Sequence, residues 1–438
     1  LQKRRHDIDY AVQLPHSALR MFVMGARALD RELSQPAERD QMRTLTREAI
    51  EAGAIGFGTS RSVFHRSPDG QIIPTAHAEI EELTAIAEGI RDAGGGVVQA
   101  ILDVHEPVDD LKLMSGIMEK VGLPFSFSLF QGQFDPENWR ELLRLTEAAN
   151  ENGAAVHAQA FPRPVGMLLG LDVSFNPFSA CPAYQAIAHL PLAERVAQMR
   201  RPEVRAAILA DKPSPQGLPA YEFARRYEVI YPMGDPPCYE PDPSTSLSAQ
   251  AAARGVKPKE LAYDMLLEDD GHAMLIAALA NYEYSTLDPI REMITHRFAV
   301  PALGDGGAHY GMICDSTYTT FMLTYWARDR ASGRIAMQDI VASLTGRPAA
   351  MLGLHDRGLI APGLRANINV IDADRLALRR PRVIHDLPAG GRRIVQDADG
   401  YVATIVGGEI IMRDGAPTGA LPGRMARRTG PKVAMAAE

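Results

Sequence analysis

Val300-Pro-Ala-Leu-Gly-Asp-Gly-Gly-Ala-His309 is an apolar run that passes into an acidic residue, a glycine pair and a histidine. A short apolar run of this kind reads as a buried strand, here Phe298 to Leu303, that delivers Asp305 to the mouth of a sheet or barrel. The glycines let the backbone turn sharply and approach a ligand closely. Asp305 has the chemistry to ligate a metal or to take a proton from water. Asp-Gly is also ordinary turn chemistry, so the stretch gains its meaning from the rest of the chain.

Working outward, short apolar stretches alternate with amphipathic ones. Strands are expected at Leu19 to Met24, Ala54 to Gly58, Gly96 to Asp103, Phe125 to Phe130, Ala154 to Ala160 and Ala273 to Asn281. Apolar positions spaced in threes and fours predict helices at Pro36 to Ala52, Thr75 to Ala93, Pro136 to Asn152 and Leu287 to His296. Asn152-Gly153 and the run from Ala93 to Gly96 supply helix stops ahead of the next strand. Strand and helix in alternation imply an α/β fold built on a parallel sheet or barrel. From about Leu171 to Val256 this rhythm gives way to a Pro-rich insertion with helical pieces such as Leu192 to Leu209, placed as a lid over the catalytic face or as an oligomer contact. After Gly353 short strands with Gly and Asp turns take over.

Three more segments carry specific patterns. They are Gly56-Phe-Gly-Thr-Ser-Arg61 followed by His65-Arg66-Ser67 and Asp69-Gly70, then Gln159-Ala-Phe-Pro-Arg163-Pro-Val-Gly166 followed by Leu168 to Leu171, and Thr345-Gly-Arg-Pro-Ala349 running on to Gly353, Gly358, Pro362 and Gly363. With Gly304 to Asp315 they resemble, in order and over nearly the whole chain, the branch of the amidohydrolase superfamily that contains the N-acyl-D-amino-acid deacylases (D-aminoacylases).

The resemblance implies a (β/α)8 TIM-type barrel over residues 1–352, its lid-like insertion at about 171–256, and a small β-sandwich domain with a C-terminal tail over 353–438. The active site of such a barrel lies at the C-terminal ends of the strands. The implied chemistry is hydrolysis of a non-peptide C–N bond in a small-molecule amide, with water activated on one or two divalent ions, usually zinc. Asp305 maps onto the last-strand Asp that accepts the proton of water and returns it to the leaving amine. A cyclic-amide hydrolase of the hydantoinase or dihydroorotase kind is the alternative activity, and a non-catalytic or truncated amidohydrolase-fold subunit is the alternative from outside enzymology.

Two departures bear on the metal. The family's first strand carries a His-x-His pair, and no two histidines in this sequence stand at that spacing. The chain opens Leu1-Gln-Lys-Arg-Arg5, so it is expected to start inside a domain, with the first strands upstream or on a partner chain; a homo-oligomer is the other association expected. The middle strands are also poor in histidine. A single ion held by the absent pair and Asp305 is therefore favoured over two, with His157 as a candidate substitute ligand. A lone histidine on an apolar strand is more often a hydrogen-bonded core residue, and that is the other reading of His157. His309 is placed beside Asp305 to polarise a carbonyl. Arg163, between two prolines, is placed to grip a substrate carboxylate in a forked pair, while Ser60, Arg61 and Tyr282 end strands and are candidates to line the site.

Composition excludes several other classes. A net charge of −8 with no basic stripe argues against a nucleic-acid binder. No apolar run approaches a membrane span, and three cysteines without a CxxC pair suggest a reducing, cytoplasmic setting. Cys314 reads as a core residue. Gly94-Gly95-Gly96 comes before a strand, the wrong order for a dinucleotide loop, which sets aside an oxidoreductase.

Overall fold

Six short strands lie side by side and parallel in the order β1 (Gln13–Pro15), β2 (Gly56–Ser60), β3 (Val97–Ile101), β4 (Phe125–Leu129), β5 (Val156–Ala160) and β9 (Ala299–Pro301). The computed structural model describes residues 3–67, 70–214, 219–304 and 306–429. Helices Pro36–Glu51, Ile80–Asp92, Pro107–Val121 and Asn138–Glu151 join successive strands, and helix Asp288–Thr295 precedes β9. This is the wall of a TIM-type barrel, with no pairing between β9 and β1 among the described residues.

Alternation along each strand decides which side faces the helices. Phe57, Val98, Ala100, Phe125, Phe127, Leu129, Val156, Ala158 and Ala299 share one hydrophobic core with Ile86, Met114, Leu142 and Ile290 of the covering helices. Burying Phe125 or Phe127 completely contributes about 2–3 kcal/mol each. Gly56 is required where β2 meets β3, because a Cβ there would lie 1.9 Å from Val97 O. The opposite face, in register across β3, β4 and β5, is polar: Gln99 pairs with Ser126, Ser126 with His157, and Ser128 with Gln159.

Two sequence expectations are corrected. Leu19 to Met24 is helical, inside helix His16–Met24, because its buried residues His16, Leu19, Arg20 and Met24 fall on one helical face; a six-residue apolar run has no period of its own to decide between helix and strand. The stretch Ala273 to Asn281 does form a strand, β8 (Leu275–Ala280), but outside the parallel sheet. It pairs antiparallel with β6 (Val165–Leu169) and β7 (Ile230–Pro232).

That three-stranded sheet and the insertion build a second core of Met167, Leu169, Phe178, Met199, Tyr263 and Leu266. Several prolines in and just after the insertion start helices. Pro182, Pro202 and Pro258 open the helices Pro182–Ala188, Pro202–Ala210 and Pro258–Leu266, where a missing N–H costs nothing. In the C-terminal region Ile368–Ile371, Tyr401–Val406, Glu409–Arg413 and Ala416–Pro417 form a four-stranded antiparallel sheet, and Arg382–Leu387 pairs with Gly391–Val395. The two chain ends meet there. Asp9 accepts from Arg357 and Arg365 at 2.8 and 2.6 Å, and Tyr10 bridges to Met425.

Candidate active site

Ser60, Ile101, Leu129, Ala160 and Pro301 end the parallel strands on one side of the sheet, and the loops that follow them form the mouth. Gly304, just past β9, has no room for a side chain because the ring of Tyr318 lies where its Cβ would go. Asp305 itself lies outside the described residues, as does Asp69 of the loop after β2. His309 is exposed on the turn beyond, at φ 53°, and its carbonyl accepts from Met312 N and Ile313 N at 2.8 and 2.9 Å.

Arg163 follows β5 and is fully buried. Its Nη2 donates to Asp315 Oδ1 at 2.9 Å and to Cys314 O at 2.7 Å, and the guanidinium stacks 4.1 Å above the Tyr239 ring. The forked end that a substrate carboxylate would need is thus engaged by Asp315. Arg61 is likewise turned to protein partners, Asp110 and, at 2.8 Å, Ala78 O. Burial pushes the Asp110 carboxyl up, against the opposing pull of the Arg61 charge. The Tyr282 hydroxyl donates to Pro241 O, and burial pushes its pKa far above the usual phenol range. Cys314 is a buried core thiol, pushed up to about 11 by burial.

On the polar inner face Gln99 Nε2 donates to Gln159 Oε1 at 3.1 Å, and Gln159 Nε2 donates to Ser126 Oγ at 2.9 Å. Ser128 Oγ and His157 Nδ1 have no hydrogen-bond partner among the described residues. Burial lowers the pKa of His157, which favours the neutral ring. His157 is the second residue of β5 and lines a cavity of about 430 Å³ with Pro124, Ala155, Arg297 and Arg428. Pro124 and Ala155 precede β4 and β5, so this cavity opens at the end of the sheet opposite the mouth.

What the structure does bring together at the mouth is the loop after β2. Ser60 Oγ lies 2.7 Å from His65 Nδ1. Phe64 stands beside Phe134, Phe223 and His105, with ring centroids 6.2 to 6.4 Å away. Ser60 is an expected site residue from its strand-end position, whereas His65 and the aromatic residues carry no sequence pattern that assigns them a role. The spacing of five between a serine at a strand end and a histidine in the following turn is the available signal.

Zinc requires nitrogen, sulfur or carboxylate ligands. Among the described residues there is no group of three or more His, Cys, Asp or Glu able to hold a metal ion. The inner-face donors nearest the mouth are amides and hydroxyls. The described residues therefore do not fit a zinc centre, and no chemical step is assigned to one.

The sequence model of the amidohydrolase family matches residues 3–412. Among solved structures, a D-aminoacylase described as defining a novel subset of amidohydrolases is similar at 22% identity and a TM-score of 0.57, covering 96% of this chain and 72% of that one. An N-acyl-D-glutamate deacylase from Bordetella bronchiseptica, solved with zinc and a phosphonate inhibitor, is similar at 18% identity and a TM-score of 0.56, with the same two coverages. At these identities the likeness establishes a shared fold. No curated protein sequence matches the chain.

Proposed function

The chain belongs to the amidohydrolase family, hydrolases of carbon–nitrogen bonds other than peptide bonds, and from that premise we propose that it deacylates an N-acyl-D-amino acid or a closely related amide. One observation carries this reading: the segment from Gly304 to Asp315, with its Asp-Gly-Gly-Ala-His core, follows β9 directly at the C-terminal side of the parallel sheet, where barrels of this type keep their active sites. D-Aminoacylase and N-acyl-D-glutamate deacylase, which share the fold, act on this substrate class by their names.

In this reading Asp305 takes the proton from the attacking water and returns it to the amine as the C–N bond breaks, and His309 polarises the carbonyl. Arg163 contributes by holding Asp315, at the far end of the same loop, in place. Zinc belongs to the reading only through donors outside the described residues.

The test is amine release from paired N-acyl-D- and N-acyl-L-amino acids, hydantoins and dihydropyrimidines, with and without added zinc. Release selective for the D series, reduced about 100-fold or more by Asp305→Asn, is the expected result. Ring opening confined to the cyclic amides would transfer the assignment to a cyclic-amide hydrolase. No release from any of them, in either condition, would favour a barrel without catalysis.

A further inference from the structure

The loop after β2 carries chemistry that the deacylase reading leaves unused. Ser60 faces the same side of the sheet as Gly56 and Gly58, its Oγ is 2.7 Å from His65 Nδ1, and both side chains are partly exposed. The pair is held on two sides. Ser60 is fixed by the pairing of β2 with β3 and by Thr75 Oγ1, which donates to its carbonyl at 2.8 Å. His65 is fixed by a turn in which its N–H donates to Ser62 O at 3.3 Å and its carbonyl accepts from Ile73 N at 3.2 Å. Ser62 N also approaches Ser60 Oγ at 3.3 Å, so the hydroxyl oxygen receives a donor as well as facing a base. A hydroxyl within hydrogen-bond reach of an imidazole nitrogen is the arrangement that turns serine into a nucleophile.

An apolar surface adjoins the pair. Phe64, the residue before His65, stacks on Phe134 with an interplanar angle of 11°, and Phe134 meets His105 at 4.9 Å. Phe64 and Phe134 are exposed at 36% and 58% despite being large aromatics at the mouth of a barrel. The loops after β2, β3 and β4 and the helix Ala220–Phe223 of the insertion each supply one ring. Clustered aromatic surface beside a polar pair suits the apolar half of a small ligand.

The geometry points to Ser60 and His65 as the nucleophile and base of an acyl-transfer site for esters whose acyl group is aromatic or extended and apolar. Ser60 Oγ bonds to the acyl carbon while its proton passes to His65 Nδ1. The bond from the acyl carbon to the leaving oxygen then breaks, and the leaving group takes that proton. Water attacks the acyl-serine, gives its proton to His65, and Ser60 leaves with that proton restored. Water is the only co-reactant. This inference stands apart from the deacylase reading, because it uses neither Asp305 nor a metal.

The experiment uses the full 438-residue chain in excess chelator with p-nitrophenyl phenylacetate and p-nitrophenyl acetate. Expected are a burst of p-nitrophenolate stoichiometric with the chain and a phenylacetyl mass adduct on the peptide containing Ser60. Ser60→Ala should abolish both and Ser60→Cys should restore the adduct, while His65→Gln should slow acylation about 100-fold. Phe134→Ala should slow the phenylacetyl ester more than the acetyl ester. An adduct on any other residue, no adduct on the wild-type chain, a burst that survives Ser60→Ala, or acylation at the wild-type rate in His65→Gln would overturn the assignment. Equal effects of Phe134→Ala on the two esters would overturn the aromatic subsite. The wild-type adduct site is read without any variant, so a misfolded substitution leaves the test intact.

Discussion

Arg163 and Asp315, 152 residues apart in the chain, meet in an ion pair at 2.9 Å in which the guanidinium is fully buried and the carboxylate is 18% exposed. The pair ties the end of β5 to the loop that follows β9, the two segments that carry the strongest sequence patterns of the barrel mouth. The Tyr239 ring against the guanidinium and Cys314 O beneath it complete the enclosure.

Removing the acid is expected to cost more than removing the base. Asp315→Ala leaves a buried cation without its counter-charge, which should lower unfolding stability by about 3–5 kcal/mol. Arg163→Met removes the charge that needs pairing and should cost less. Urea titrations of both variants decide this; losses below about 1 kcal/mol in both would show that the pair does not hold the loop.

A second buried network predicts acid sensitivity. His16 Nε2 and Arg20 Nη1 both reach the Glu82 carboxylate, at 2.8 and 2.5 Å, and His16 Nδ1 meets Thr59 Oγ1 at 2.8 Å. Burial would raise the Glu82 pKa, but the hydrogen bond and charge of His16, with Arg20 beyond, outweigh it and leave the carboxyl at about 2. His16 is shifted down by its burial. Both groups bind protons more weakly folded than unfolded, so both contributions are present above their ordinary pKa values and are lost on acidification. Stability should begin to fall below about pH 6.5 as unfolded His16 takes up a proton, and fall more steeply from about pH 4.5 toward pH 2 as Glu82 does. Urea midpoints between pH 8 and pH 3 measure it, and Glu82→Gln should flatten the lower part of the curve. A curve with equal slope in wild type and variant would remove Glu82 as the cause.

Much of this architecture is legible in the sequence, and the failures have identifiable physical origins. β3, β4 and β5 stand where buried apolar stretches bounded by helix stops predict them, because each has to bury one face against helices whose own apolar stripe is equally readable. β8 is predicted as a strand but in the wrong sheet, since Leu275 to Ala280 has the same continuous apolar character whether it lies in a parallel barrel or between β6 and β7. The three-residue β1 is too short to show any period. His65 goes unassigned because its relation to Ser60 depends on how the intervening turn folds back, which no spacing rule specifies.

Metal removal offers a third check. Among the described residues no group of three or more His, Cys, Asp or Glu could hold a metal ion. Treatment with excess chelator should leave the thermal midpoint within about 2 °C of its starting value. A larger drop would show that an ion helps to hold the fold together, with donors beyond the described residues.

Asn281 provides the last and most local prediction. It is fully buried at the end of β8 with φ 65°, in the left-handed region. Its Oδ1 accepts from Gln131 N at 2.7 Å, and its Nδ2 donates to Phe161 O and Arg163 O at 3.1 and 3.3 Å, which joins β8 to the segments after β4 and β5. Asn281→Gly and Asn281→Ala both delete these bonds and leave buried backbone groups unpaired, at a cost of about 1–3 kcal/mol per group. Alanine adds strain that glycine avoids, since a Cβ in the left-handed region costs about 1–2 kcal/mol. Glycine's more flexible unfolded chain works the other way by somewhat less than 1 kcal/mol, so the alanine variant should be the less stable of the two by a net of about 1 kcal/mol. Paired urea titrations of the two variants measure the difference. If alanine proved equal or superior, the left-handed backbone at Asn281 would relax on substitution, and the residue would act through its side-chain bonds alone.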